Sequence, residues 1–167
     1  MIRLDRISPE NAQVFKTLRL RALQDSPKAF GSTYARESQL SDDEWRQRSL
    51  RWASDGSIGY IAYDGASPCG LVACYTEEGN SQSGHVISMW VDPASRRSGV
   101  GRALVEALME WGRSRGLYQL RLMVTSVNTV AIGFYERLGF GRTGGTEPYP
   151  NDSTILEYEM ILALNRT

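Results

Sequence analysis

"SRRSGVGRALV" (residues 95–105) sets two arginines against two glycines and runs straight into a helix. The first N–H groups of a helix have no intrahelical partner, and the aligned peptide dipoles add partial positive charge at that end. An anion is drawn to such a terminus. Gly99 and Gly101 remove side chains that would hold a ligand off those N–H groups. Arg96 and Arg97 add charge and the forked donors that suit phosphate oxygens. The stretch reads as a phosphate-binding turn between a strand and a helix.

The flanking residues agree. Upstream, "GHVISMWVDP" (84–93) is a strand stopped at Asp92-Pro93. Downstream, Val100, Leu104, Ala107, Leu108 and Trp111 share one helical face, while Arg102, Glu106, Glu110 and Arg113 share the other. That helix ends at Gly116. "LYQLRLMVTSV" (117–127) is a further strand, and "NTVAIGFYERLGF" (128–140) is a short helix with Asn128 as cap and Gly139 as stop. "TILEYEMILAL" (154–164) closes the chain with strand-like alternation.

Toward the N-terminus, "IRLDRI" (2–7) alternates as a strand, and Ser8-Pro9 starts a helix carrying Val14, Leu18 and Leu20 and ending before Pro27. "AFGSTYARE" (29–37) reads as a loop. Ser41 and Glu44 form a capping-box pattern at a second helix. "SIGYIAYDG" and "PCGLVACYTEEG" read as a hairpin turning near Asp64-Gly65. The order β-α-α-β-β-β-α-β-α-β-β predicts an α/β (α+β) fold, a mixed sheet with helices on both faces. No linker or repeat interrupts residues 1–167, so one domain is expected.

Three phosphate ligands fit a turn of this kind. A P-loop requires a Gly-Lys pair, and the chain has none. A dinucleotide fingerprint requires glycine at the position of Leu104. The pattern for the diphosphate of coenzyme A, [QR]-x-x-G-x-[GA], is met by Arg96-Arg97-Ser98-Gly99-Val100-Gly101. The wider stretch "VDPASRRSGVGRALVEAL" (91–108) closely resembles the acetyl-CoA-binding motif of the Gcn5-related N-acetyltransferase (GNAT) superfamily. "NTVAIGFYERLGF" resembles that family's second motif, N-x-x-A-x-x-x-Y-x-x-x-G-F, in the same order and at the usual separation.

The resemblance implies a mostly antiparallel sheet of about six to seven strands with helices on both faces. It implies acetyl-CoA as cofactor and transfer of the acetyl group to a primary amine of a small molecule or peptide, in a ternary complex. The backbone of Met89 and Val91, with Trp90 between them, would meet pantetheine, and the Met89 N–H the acetyl oxygen. The backbone of Arg96, Arg97, Ser98, Gly99, Val100, Gly101 and Arg102 would hold the diphosphate. Asn128 would contact the cofactor arm, and Tyr135 would protonate the coenzyme A sulfur. Both have plainer readings, Asn128 as a helix cap and Tyr135 as a core aromatic. "SPKAFGSTYARE" (26–37) is similar to a stretch of one bacterial branch in which the first-helix region shapes the acceptor pocket.

The reaction needs a neutral amine, although a lysine-type amine has a pKa of about 10.4. In the histone-acetylating branch a glutamate lies eleven residues before the first motif position. Here that count from Arg96 reaches His85, the only histidine. His85 is therefore the catalytic candidate for base, with Glu77, Glu78 and a water relay as rivals.

Nineteen basic residues offset nineteen acidic ones, which argues against nucleic acid or an anionic membrane as partner. No apolar run reaches about 20 residues, and the N-terminus has no leader pattern, so a cytoplasmic location is expected. Cys69 and Cys74, five apart in one strand, are expected on opposite faces as buried thiols, and no histidine beside them suggests a metal. The resemblance implies that residues 8–55 and 141–154 form the variable acceptor half, where "GRTGGTEPYPND" (141–152) is either a surface turn or a loop closing over the acceptor. Pairing of two copies through the last strands, giving a homodimer, stays open. So does a non-catalytic acyl-CoA-binding sensor, which would need neither Tyr135 nor His85.

Overall fold

The computed structural model describes residues 1–164. Their strands are β1 (Ile2–Arg6), β2 (Ser57–Asp64), β3 (Ser67–Glu77), β4 (Asn80–Val91), β5 (Gln119–Thr125), β6 (Gly141–Tyr149) and β7 (Asp152–Ala163). The helices are α1 (Ala12–Asp25), α2 (Tyr34–Glu37), α3 (Asp42–Arg51), α4 (Val100–Ser114) and α5 (Thr129–Arg137). The strands form one sheet in the order β1-β2-β3-β4-β5-β7-β6, antiparallel throughout except between β4 and β5. None of the described helices is long and apolar enough to cross a membrane.

Each face of the sheet buries the stripe of its helices. Val100, Leu104, Val105 and Leu108 of α4 join Val72, Leu120, Leu122 and Met160 in one core. Phe15, Leu18 and Leu23 of α1 join Trp45 of α3 against Ile61, Leu71 and Ala73 in the other. The cap predicted for α3 forms in both directions: Glu44 N donates to Ser41 Oγ and Ser41 N to Glu44 Oε2, at 3.2 and 3.0 Å.

Three local readings change. Part of "AFGSTYARE" is the single-turn helix α2, capped by Thr33, whose hydroxyl accepts from Arg36 N at 3.2 Å. "GRTGGTEPYPND" is the edge strand β6 as far as Tyr149, and only Pro150 and Asn151 make the turn into β7. Pairing with β7 outweighs its glycines, and an edge position tolerates Pro148. Cys69 and Cys74 are free and buried, but both lie in the α4-side core. A bulge puts Gly70 opposite Ala62 and Pro68 opposite Tyr63, so the alternation is reset at Cys69. Their separation of about 16 Å along the strand, rather than their facing, precludes a disulfide.

The feature that positions the site lies between β4 and β5. They pair only over Ser83–His85 with Gln119–Arg121, where Gln119 Nε2 donates to Ser83 Oγ at 2.7 Å. From Val86 onward β4 has no partner on that side. Ala73 stands opposite Ile87 while Leu71 stands opposite Trp90, so β4 holds an extra residue, and Ser88 takes φ +59°. A serine in that region costs about 1–3 kcal/mol, which the surroundings must offset.

Arg19 of α1 supplies part of that support by donating from Nη1 to Ser88 Oγ at 3.1 Å. Its guanidinium is held in turn by both carboxylate oxygens of Glu37, at 2.9 and 3.0 Å, and lies over the Phe30 ring. Arg48 of α3 donates to the same carboxylate at 3.1 Å. Glu37 is only 1% exposed. Burial works against its charge, but the hydrogen bonds and charge of Arg19, with Arg48 beyond, keep its carboxyl below the ordinary glutamate range.

Glu37→Gln leaves Arg19 buried without its counter-charge. The expected cost is about 3 kcal/mol, a fall in melting midpoint of roughly 6–12 °C. Because the folded-state value is lowered, this stabilisation is complete above the ordinary glutamate range and fades as pH falls through the lower folded value. Calorimetric melts across pH should show the gap between the two proteins closing on acidification. An equal midpoint at neutral pH would remove the network from this role.

Candidate active site

At the end of β4 the chain turns through Pro93–Ser95, where Asp92 Oδ1 accepts from Ala94 N at 2.9 Å. Arg97 at φ +63° and Gly99 at φ +91° then redirect the backbone into α4. The first helical bond runs from Ala103 N to Gly99 O at 3.0 Å. Among the described residues, the N–H groups of Arg97 through Arg102 meet no protein acceptor. They form a cluster of free donors at a helix N-terminus, a concavity suited to an anion.

The two glycines act differently. Gly99 supplies a left-handed conformation that a side chain would strain. A Cβ on Gly101 would stand 3.0 Å from Phe134 Cζ and 3.3 Å from Met89 Cε, so this glycine lets α4 pack against α5 and β4.

The two arginines also separate. Arg96 turns back, donating from Nε to Val91 O at 2.9 Å and from Nη2 to Asp25 Oδ2 at 2.6 Å. Asp25 also accepts from Trp90 Nε1 at 3.0 Å, and Trp90 is buried in the α1-side core. Against the opposing effect of burial, these partners and Ser26 hold the Asp25 carboxyl below the usual range. Arg96 is thus a latch from the turn to α1, while Arg97 stays exposed. Ser98 Oγ donates to Ser95 O, and Arg102 pairs with Glu106 one turn along α4.

Beyond the turn, the parted edges of β4 and β5 open into a cavity of about 580 Å³. His85, Met89, Asn128 and Tyr135 line it, whereas Trp90, Val91 and residues 96–102 do not. Tyr135 comes from α5, is 8% exposed, and packs edge-on against Phe134 and Phe140. Burial pushes its phenol well above the usual value, so the proton stays on Oη at neutral pH. Asn128 caps α5, its Oδ1 accepting from Ala131 N at 3.1 Å.

His85 sits within β4 rather than at a strand start, its ring stacked on Tyr75 at 5.0 Å. Burial, assisted by the Arg121 charge and partly offset by Glu77, lowers its pKa and favours the neutral ring. Arg121 Nη1 lies 3.3 Å from Nδ1, and a guanidinium only donates, which assigns the ring proton to Nε2. Nε2 in turn lies 3.6 Å from Glu77 Oε1. Glu77 lines the cavity; Glu78 is exposed and does not.

The wall also holds Arg19, Ser88, Thr125, Glu147 and Glu157, none of which stood out in the sequence. Glu147 and Glu157 face each other across β6 and β7, and Glu157 faces Thr125 across β7 and β5. Burial, with the Glu147 charge added, raises the Glu157 pKa. The hairpin of β6 and β7 also pins the loop before α2. The Tyr149 hydroxyl lies 2.5 and 2.9 Å from the carbonyls of Phe30 and Pro27, and Asn151 Nδ2 donates to Phe30 O and Ser32 O, each at 3.1 Å. Alternation in "TILEYEMILAL" put Glu157 and Glu159 on one face, but nothing local told which partners they would meet.

A profile of the acetyltransferase (GNAT) family matches residues 20–140. A mycothiol acetyltransferase of Geodermatophilus obscurus is 31% identical over 124 residues, covering 72% of this chain and 40% of that protein. The chain spans less than half the length of the curated relatives it matches. Among solved structures, an acetyltransferase of the GNAT family from Streptococcus pneumoniae superposes with a TM-score of 0.79 at 20% identity, over 99% of this chain and 100% of that one. Nourseothricin acetyltransferase is 31% identical with a TM-score of 0.61, over 66% of this chain and 67% of that one. The match runs from α1 through the turn at Gly99 to the end of the second motif, and on that ground the chain belongs to the acetyltransferase (GNAT) family.

Proposed function

We propose that this chain is an acetyl-CoA-dependent N-acetyltransferase that passes an acetyl group directly to a primary amine of a small molecule or peptide. The observation that carries the reading is the parting of β4 from β5 after His85, with free N–H groups where β4 ends and a buried tyrosine in the gap. Family membership and relatives named for acetyl transfer support it.

The residues fit the donor. The N–H groups of Arg97 through Arg102 and the exposed Arg97 guanidinium suit a diphosphate; the Arg96 guanidinium is engaged by Asp25 and leaves its share to the backbone. The unpaired edge of β4 at Met89 offers backbone groups to the pantetheine arm, with Asn128 across the gap, while the Val91 carbonyl is taken by Arg96 Nε. Acetyl-CoA, when bound, supplies the acetyl group as a thioester. The Met89 N–H is the donor for charge developing on the acetyl oxygen. Tyr135, protonated because it is buried, gives the Oη proton to the departing sulfur. His85 has Nδ1 occupied by Arg121 and a proton on Nε2, which stands 3.6 Å from Glu77 without a hydrogen-bond partner, so the base in this reading is Glu77. The amine proton then passes through water to the Glu77 carboxylate.

Coenzyme A release over a panel of amines tests the reading; tight acetyl-CoA binding with no turnover on any amine would favour the sensor. Tyr135→Phe should lower kcat at least about tenfold with little change in acetyl-CoA affinity, and unchanged turnover would take the tyrosine out of the chemistry. Gly99→Glu forces a side chain into a left-handed position and sets negative charge at the turn. Calorimetry should find acetyl-CoA binding abolished in a protein that still melts cooperatively, whereas normal affinity would place the diphosphate elsewhere.

A further inference from the structure

The cavity carries more negative charge than its arginines offset. Five charged side chains line it besides His85: Arg19, Arg121, Glu77, Glu147 and Glu157. Both arginines are already neutralised, Arg19 by Glu37 and Arg121 by Glu159. Glu77 has only the neutral His85 ring beside it. Glu147 and Glu157 have no cationic partner among the described residues, and they stand directly opposite each other, an arrangement that destabilises a sheet. Beside them, Thr125 is 4% exposed, and its Oγ1 is buried without a hydrogen-bond partner. An orphaned hydroxyl next to two uncompensated carboxylates is a costly arrangement that a hydrogen-bonding cation would relieve.

Placement adds a direction. Leu122 and Val124 of β5 point into the α4-side core that contains Tyr135. Thr125 and its cross-strand partner Glu157 therefore face the opposite side of the sheet, the side of Arg121 and His85. The proton donor and the carboxylate pair thus flank the gap from its two faces.

Resting on the acetyltransferase reading, we infer that the acceptor is an amine carrying a second positive group, of the diamine class. Its non-reacting ammonium is seated by the carboxylates of Glu147 and Glu157 and the hydroxyl of Thr125. The ammonium donates to both carboxylates and to Thr125 Oγ1, while the second amine reaches the gap between β4 and β5. Such charge-assisted bonds discriminate strongly against a neutral group at the same place.

The test uses the full chain with 1,4-diaminobutane and 1-aminobutane. Wild-type kcat/KM should favour the diamine at least about tenfold, and Glu157→Gln and Glu147→Gln should each narrow that ratio. A wild type that does not favour the diamine, or a ratio untouched by both substitutions, overturns the inference. Glu147 is exposed, so its variant serves if Glu157→Gln fails to fold. Should no amine be acetylated, the functional reading fails, and calorimetric titration of the diamine into coenzyme A-loaded protein still decides this site. Binding weakened in the variants sustains it, and equal binding in wild type and variants overturns it.

Discussion

Ser88 stands in left-handed conformation in β4 while the Arg19 guanidinium grips its hydroxyl, and the working geometry follows from that contact. The extra residue lies just beyond the point where β4 parts from β5, on an edge of a central strand that has no partner there. Such an edge would ordinarily be a liability. Here it faces a cavity, and its backbone groups stay without a partner strand. Glu37 makes the grip rigid by fixing both oxygens on Arg19, and Arg48 ties the same carboxylate to α3. Three helices thereby bear on one residue of the sheet.

A second clamp secures the other end of the cleft. Asp25, at the end of α1, gathers Trp90 and Arg96 on one carboxylate oxygen and so anchors the turn before α4 to the first helix. The turn can then leave the N–H groups of Arg97 through Arg102 open, because these side chains and the backbone bonds from Ser95 N to Asp92 O and from Arg96 N to Pro93 O hold its shape. Preorganised donors of this kind need no rearrangement when an anion arrives.

Inside the cavity, burial sets the protonation of the groups that matter. It keeps Tyr135 protonated and His85 neutral by the same physical cause acting on opposite charge types. Arg121 then decides which ring nitrogen of His85 carries the proton. The result is a cavity with a neutral acid on one face of the sheet and unpaired carboxylates on the other.

The sequence by itself determined the order of the elements other than α2 and β6, the two-faced sheet, the turn at Gly99, and the placement of Asn128 at the cap of α5 and Tyr135 within it. Each of these rests on local signals: period, caps, and glycines at fixed spacing. Only the tertiary structure decided that Arg96 serves as a latch and that Nδ1 of His85 faces a guanidinium, because Asp25 and Arg121 reach them from distant segments. Glu147, Glu157 and Thr125 meet through strand register, and a Gly- and Pro-rich segment becomes β6 only because β7 is there to pair with it. Non-local pairing and burial set those outcomes, and neither is written in the spacing of neighbouring residues.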